Sequence, residues 1–191
     1  MNYEPDPKDA VALKAEAQGR DRFDLALELM LANEGRGLLI HPFKNYTEGD
    51  QENVRTMLTH PNCVAGLADA GAHVGVIADH SSATTLLTHW GRDRTRGEKL
   101  PLEFLVRKQT MDTARAYGLN DRGMIAPGMR ADMNLIDYAA LRVRMPEMCY
   151  DLPAGGKRQV QLPEGYRNIF CAGIETFSNG ESTGALPGRL I

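Results

Sequence analysis

The sequence predicts an α/β protein, with helices alternating with buried strands, followed by a small all-β segment. Three observations predict this. Apolar residues recur at helical spacing in several segments up to about Leu119. Two short apolar runs, Gly37–Ile40 and Cys63–Ala68, show no alternation, as strands buried on both faces of a parallel sheet do. Beyond Leu119 the helical period stops, and Gly123, Pro127, Gly128, Pro146, Pro153, Gly155 and Gly156 cut the chain into short pieces. A boundary near 118–122 follows, with residues 1–120 forming the α/β part and residues 121–191 the β part.

Composition narrows the class. The chain has 191 residues, 42% of them hydrophobic and 25% charged, with a net charge of −3. That is a globular balance, long enough to bury a core. The slight negative charge argues against a strongly basic nucleic-acid binder. No apolar stretch approaches the roughly 18 residues of a membrane helix. The start, MNYEPDPKDA, lacks the apolar core of a secretory signal, so a soluble cytoplasmic protein is expected. Cys63, Cys149 and Cys171 are widely spaced and form no zinc-binding pattern, so they read as reduced thiols, Cys63 and Cys171 as core residues. A complete TIM barrel needs about 250 residues, more than are present.

In chain order, Asp9–Gln18 reads as a helix closed by Gly19. Asp21 opens a second, with Phe23, Leu27, Met30 and Leu31 on one face and Asn33–Gly37 ending it. The strand-like Gly37–Ile40 leads into a loop containing His41 and Lys44. Asp50 caps a helix over Gln51–Thr59, with Val54, Met57 and Leu58 inward. The second strand-like run, Cys63–Ala68, ends in Asp69. Ser81–Gly91 reads as a helix with Leu86, Leu87 and Trp90 in the core, and Leu102–Tyr117 as another, burying Phe104, Leu105, Ala114 and Tyr117. The charged loop Arg92–Lys99 between them is expected to be solvated. Met133–Ile136, Arg167–Ala172 and Ile174–Phe177 read as strands, and Asn179-Gly180 as a hairpin turn.

The densest group of chemically capable side chains is Asp69, His73, Asp79 and His80. A carboxylate directly after a buried strand costs desolvation energy unless a metal, a cation or backbone N–H groups compensate it. It also stands where parallel α/β folds place their chemistry. The spacing alone fits a metal cluster, an acid/base pair, or hydrogen-bonded loop residues with Asp69 capping a turn. His41, Lys44 and His60 read as ordinary loop and turn residues. No phosphate-binding glycine loop and no G-x-S-x-G elbow is present.

Three stretches carry a resemblance. Asn45-Tyr46-Thr47-Glu48-Gly49-Asp50, followed by Gly66-Leu67-Ala68-Asp69-Ala70-Gly71-Ala72-His73-Val74, resembles the late-barrel segment of the D-aminoacylases. These are N-acyl-D-amino-acid deacylases of the amidohydrolase superfamily. Asp121 to Asp132 (DRGMIAPGMRAD) resembles the superfamily's return from barrel to flanking β-domain. Thr183 to Arg189 (TGALPGR) resembles the C-terminal end of the family. The resemblance runs from roughly Asp21 to the last residue.

It implies the C-terminal part of a TIM barrel followed by a small β-sandwich segment, the sandwich being built in the family from both chain ends. It implies zinc-assisted hydrolysis of an amide to a carboxylate and a D-amino acid. Asp69 then corresponds to the aspartate after the last barrel strand, which contacts the metal and acts as general base and then proton donor. His73 and His80 become substrate-binding or near-site residues. The family's His-x-His metal pair is absent from the 191 residues, as are most other ligands. The expectation is a portion of the enzyme, inactive without the missing N-terminal half of the barrel, whose substrate is a small N-acyl amino acid. Two alternatives stay open. One is a non-catalytic remnant that self-associates through an open edge. The other is a small metal-binding protein using Asp69, His73, Asp79 and His80.

Overall fold

The computed structural model describes residues 2–42, 44–66, 68, 70–71, 73–76 and 79–190, with Asp79 described by its backbone alone. The chain divides into two compact units, Asn2–Pro61 and the remainder from Asn62 onward.

The first unit is helical: α1 (Val11–Ala17), α2 (Arg22–Gly35) and α3 (Glu52–Thr59). Asp21 caps α2, its Oδ1 accepting the N–H groups of Phe23 at 2.7 Å and Asp24 at 3.2 Å. The regular helix stops at Ala32, where the backbone becomes extended, and Asn33 and Glu34 turn left-handed at φ of 53° and 62°. The start of α3 is held from two sides. Asp50 Oδ1 accepts the N–H of Glu52 at 2.9 Å, and the buried Glu4 carboxylate accepts that of Gln51 at 2.8 Å. The Tyr46 hydroxyl and the Gln51 side chain both donate to the Tyr3 carbonyl.

The expected inward face of α2 is largely uncovered, with Phe23 70%, Leu27 53% and Leu31 63% exposed. Met57 of α3 is also exposed, while Val54 and Leu58 are half-buried. Gly37–Ile40 is irregular rather than a strand, and Leu38, Leu39 and Ile40 are exposed. The described residues of the second apolar run, 63–66 and 68, are not strand either. Every strand pair among the described residues is antiparallel. A strand is defined by its partner's hydrogen bonds, and a parallel one needs neighbours brought by crossover connections. Among the described residues no such neighbour pairs with either run.

The second unit begins with helices and ends in sheets, a mixed helix and strand content. α4 (Ser82–Thr88) runs into a π-helical turn, His89–Asp93; α5 (Leu102–Arg107) runs into another, Lys108–Asp112, before α6 (Thr113–Ala116). The core comprises Leu87, Trp90, Leu100, Leu105, Ala114 and Leu141, with Leu105 and Leu141 fully buried. Tyr117, expected inside, is 74% exposed; the π-helical turn shifts the phase of every residue after it. The expected solvated loop at Arg92–Lys99 also differs. Arg94 is 1% exposed, lies 4.7 Å over the Trp90 ring and donates to the Glu98 carbonyl at 3.0 Å.

The strands are β1 (Met133–Ile136), β2 (Arg142–Val143), β3 (Glu147–Leu152), β4 (Gly156–Val160), β5 (Pro163–Glu164), β6 (Tyr166–Cys171), β7 (Ile174–Ser178) and β8 (Glu181–Ser182). They form a four-stranded sheet in the order β1-β6-β7-β8 and two ribbons, β2-β5 and β3-β4. The Asn179-Gly180 turn joins β7 to β8 with both residues at positive φ, 48° and 87°, as that dipeptide requires. All three cysteines are free and half-buried.

The D-R-G…R-A-D stretch latches this sheet. Asp132 Oδ1 accepts the Ala172 N–H at 2.7 Å and its carboxylate takes Arg130 Nε at 2.8 and 2.9 Å. Burial raises the Asp132 pKa, but the Ala172 and Arg130 hydrogen bonds and the nearby arginine charges outweigh it, so the net shift is downward. Asp93 is likewise held low, first by its hydrogen bond from Arg92 and against burial.

Asp132→Ala should cost about 0.5–1.5 kcal/mol in urea melts, because it removes the hydrogen bond from the exposed Ala172 N–H, which water then satisfies. A depressed carboxylate contributes stability above its unfolded pKa. The contribution of Asp93 and Asp132 should therefore be complete above about pH 5 and be lost as pH falls below about 4. Denaturant midpoints against pH check this. The loss should flatten in the Asp132→Ala variant. A Cβ on Gly91 would stand 2.7 Å from the Tyr138 hydroxyl and 3.2 Å from Leu105 Cδ1. Gly91→Ala should thus lower stability by about 1–3 kcal/mol.

Candidate functional site

The segment carrying the candidate residues is fastened to β4 and the residue after it. Its turn over His73–Val76 is closed by the Val76 N–H donating to the His73 carbonyl at 2.9 Å. Gln159 of β4 donates its backbone N–H to the Val74 carbonyl at 2.6 Å. Asp79–Ser81 forms a single 3-10 turn leading into α4. The buried Ser81 hydroxyl donates to the Gln161 carbonyl at 3.1 Å. One helical turn on, the Thr84 and Tyr166 hydroxyls meet at 3.0 Å. The segment is thus gripped at both ends by the β part.

His73 and His80 lie in these two turns with exposed side chains. Asp69 lies outside the described residues, as does the side chain of Asp79. Among the described residues no group of three or more His, Cys, Asp or Glu side chains comes together to hold a metal ion. His41 and Lys44 are exposed in the other unit. Trp90 is a core residue, edge-on to His89 with ring centroids 5.2 Å apart.

Two buried polar residues beside the candidate segment carried no signal in the sequence. Gln159 and Gln161 are buried to 8% and 4% exposure, while Leu162 is 54% exposed. The alternation Lys157-Arg158-Gln159-Val160-Gln161-Leu162 invites the opposite reading, with Val160 and Leu162 inward.

The family model described as "Amidohydrolase family" matches residues 9–180. The chain belongs to the amidohydrolase family. The resemblance to the deacylases noted above extends along the chain. N-acyl-D-aspartate deacylase of Alcaligenes xylosoxydans xylosoxydans is 29% identical over 182 residues, 92% of this chain and 33% of that protein. Adenine deaminase 1 of Rhizobium meliloti (strain 1021) is 30% identical over 100 residues, 46% of this chain and 18% of that protein. A solved D-aminoacylase chain superposes with a TM-score of 0.49 at 20% identity, covering 92% of this chain and 32% of that one. The chain therefore spans about a third or less of these relatives. No helix among the described residues is long and apolar enough to cross a membrane.

His73→Ala and His80→Ala, made separately, should each change unfolding free energy by no more than about 0.5 kcal/mol, as exposed turn positions do. Chemical denaturation checks this, and ensures that any catalytic loss in these variants is not a loss of fold.

Proposed function

We propose that this chain supplies the late-barrel and flanking β-portion of a hydrolase that cleaves N-acyl-D-amino acids into a carboxylate and a free D-amino acid. The observation that carries this reading is the alignment with N-acyl-D-aspartate deacylase over 92% of this chain, against 46% for the adenine deaminase. In this reading residues 1–120 belong to the barrel and residues 121–191 to a β-sandwich segment. Asp69 takes a proton from the attacking water and returns it to the departing amine, splitting one difficult transfer into two short ones. His73 and His80 flank the substrate, the former set by its turn and the Gln159–Val74 bond, the latter by Ser81 and Gln161.

Zinc belongs to this reading as the cofactor of the complete enzyme, with Asp69 as this chain's ligand. The described residues do not by themselves build a zinc centre. Residues 1–191 alone are accordingly expected not to turn over.

The test is release of free D-amino acid from N-acetyl-D-aspartate and neutral N-acetyl-D-amino acids by the enzyme as its cell makes it. Asp69→Asn should lower turnover by a factor on the order of a thousand or more, with zinc retained by the remaining ligands of the complete enzyme. Wild-type-like turnover would remove Asp69 from the chemistry, and equal hydrolysis of the L-substrates would remove the D-preference. A second reading, self-association through an open face, is favoured by exposed Phe23, Leu27 and Leu31 on α2. Sedimentation of residues 1–191 across concentrations tests it, a constant monomer being the outcome that rejects it.

A further inference from the structure

The turn between β7 and β8 holds a reactive pair well away from the candidate segment. The carboxamide carbon of an asparagine is an electrophile, and the backbone nitrogen of the next residue can close a five-membered ring on it. In most sequences the next side chain obstructs that approach, or hydrogen bonds hold the two groups apart. Neither obstacle is present at Asn179-Gly180. Nothing lies within 4 Å of where a Cβ on Gly180 would stand, and both residues are exposed. Among the described residues neither the Asn179 carboxamide nor the Gly180 N–H has a hydrogen-bond partner. The Asn179 backbone N–H, in contrast, is fixed, donating to the Arg167 carbonyl at 2.7 Å.

The turn geometry gives access to ring closure. With Asn179 at φ 48° and Gly180 at φ 87°, both residues are left-handed. Rotating only the peptide plane between them gives the sister hairpin turn, in which the asparagine φ is kept, its ψ moves to about −120° and the glycine φ changes sign. Glycine tolerates both signs, so the rotation leaves the β7-β8 register intact. At that ψ the Gly180 nitrogen lies on the side of the Asn179 side chain, as the ring requires.

We propose that Asn179-Gly180 is a self-modification site, at which the chain converts its own asparagine into aspartyl and isoaspartyl linkages with water as the co-reactant. The Gly180 nitrogen gives its proton to hydroxide and bonds to Asn179 Cγ. The Cγ–Nδ2 bond breaks, and the leaving nitrogen takes a proton from water, departing as ammonia and regenerating hydroxide. Water then opens the ring. Breaking the bond from the ring nitrogen to Cγ restores the ordinary backbone with an aspartate. Breaking its bond to the main-chain carbonyl carbon routes the backbone through Cβ and Cγ and lengthens the turn by one carbon. A two-residue hairpin turn sets the register and has no slack for that carbon. β8 consists of Glu181 and Ser182 alone, both exposed. It is held by the pairs Ser178↔Glu181 and Phe177↔Ser182 and by Thr183, whose N–H donates to the Thr176 carbonyl at 2.9 Å. The isoaspartyl form therefore releases β8 and bares the edge of β7.

The test ages the protein, as its cell makes it, at mildly alkaline pH and follows tryptic peptides by mass spectrometry. Asn168–Arg189 is one tryptic peptide and carries its own control. Asn168 precedes the β-branched Ile169 and donates its carboxamide N–H to Glu175 Oε1 at 2.7 Å. Asn179 should convert roughly tenfold or more faster than Asn168, at a rate that rises with hydroxide concentration. Hydrogen exchange at Glu181, Ser182 and Thr183 should rise in step with conversion. Asn179→Gly keeps a turn-forming dipeptide and removes the carboxamide, so its exchange should stay constant over the same ageing. Conversion of Asn179 no faster than that of Asn168, or conversion only in urea, overturns the proposal, as does exchange that rises equally in Asn179→Gly. Conversion with unchanged exchange overturns the release of β8. None of these readouts depends on the deacylase activity.

Discussion

The guanidinium of Arg92 joins the helices of the second unit to its sheets, and the placement of the β part follows from it. It donates to the carbonyls of Tyr138 and Leu141, the latter at 2.7 Å, and to both oxygens of Asp93 at 2.6 and 2.9 Å. It also lies 5.4 Å from the Tyr138 ring centroid. The turn from Asp137 to Leu141 otherwise leaves those carbonyls without a ladder partner, and only a planar fork of donors can satisfy several at once. Lysine would supply one point charge. The contact is reciprocated by the Tyr138 hydroxyl, which donates to the Leu87 carbonyl at 3.1 Å across the space that Gly91 leaves open. Leu141, fully buried beneath the clamp, carries the apolar contact.

The same turn runs directly into β2, which pairs with β5. Ser81 and Thr84 then find the Gln161 carbonyl and the Tyr166 hydroxyl, and the turn bearing His73 is tied through Val74 to Gln159. The candidate segment owes its position to the β part as much as to the helices.

The first unit is organised differently. Its capping bonds are good, from Asp21 to α2 and from Asp50 and Glu4 to α3, but few apolar side chains are buried and the apolar face of α2 is open. Local hydrogen bonding shapes these helices, and hydrophobic burial contributes little to holding them. The chain spans about a third of the N-acyl-D-aspartate deacylase that it matches.

Sequence by itself determined what depends on neighbours along the chain. Asp21 capping α2, the core side of α4 at Leu87 and Trp90, the β1, β6 and β7 strands and the Asn179-Gly180 hairpin are all set within a few residues, by capping, periodicity and turn chemistry. The family was also legible, because the glycine-rich motifs around Asp69, Asp121–Asp132 and Thr183–Arg189 are contiguous. Tertiary structure decided what depends on distant partners. Gly37–Ile40 and the described part of Cys63–Ala68 are apolar enough for strands, yet a strand exists only where another chain segment accepts its hydrogen bonds. The π-helical turn before α6 rotated Tyr117 outward, a phase change that no 3.6-residue pattern encodes, and Arg94 is buried by the Trp90 ring and the Glu98 carbonyl. The facing of Gln159 and Gln161 was settled by contacts with Val74 and Ser81, about 80 residues earlier in the chain. A period of two tells which residues share a face, but only the packed neighbour says which face is inside.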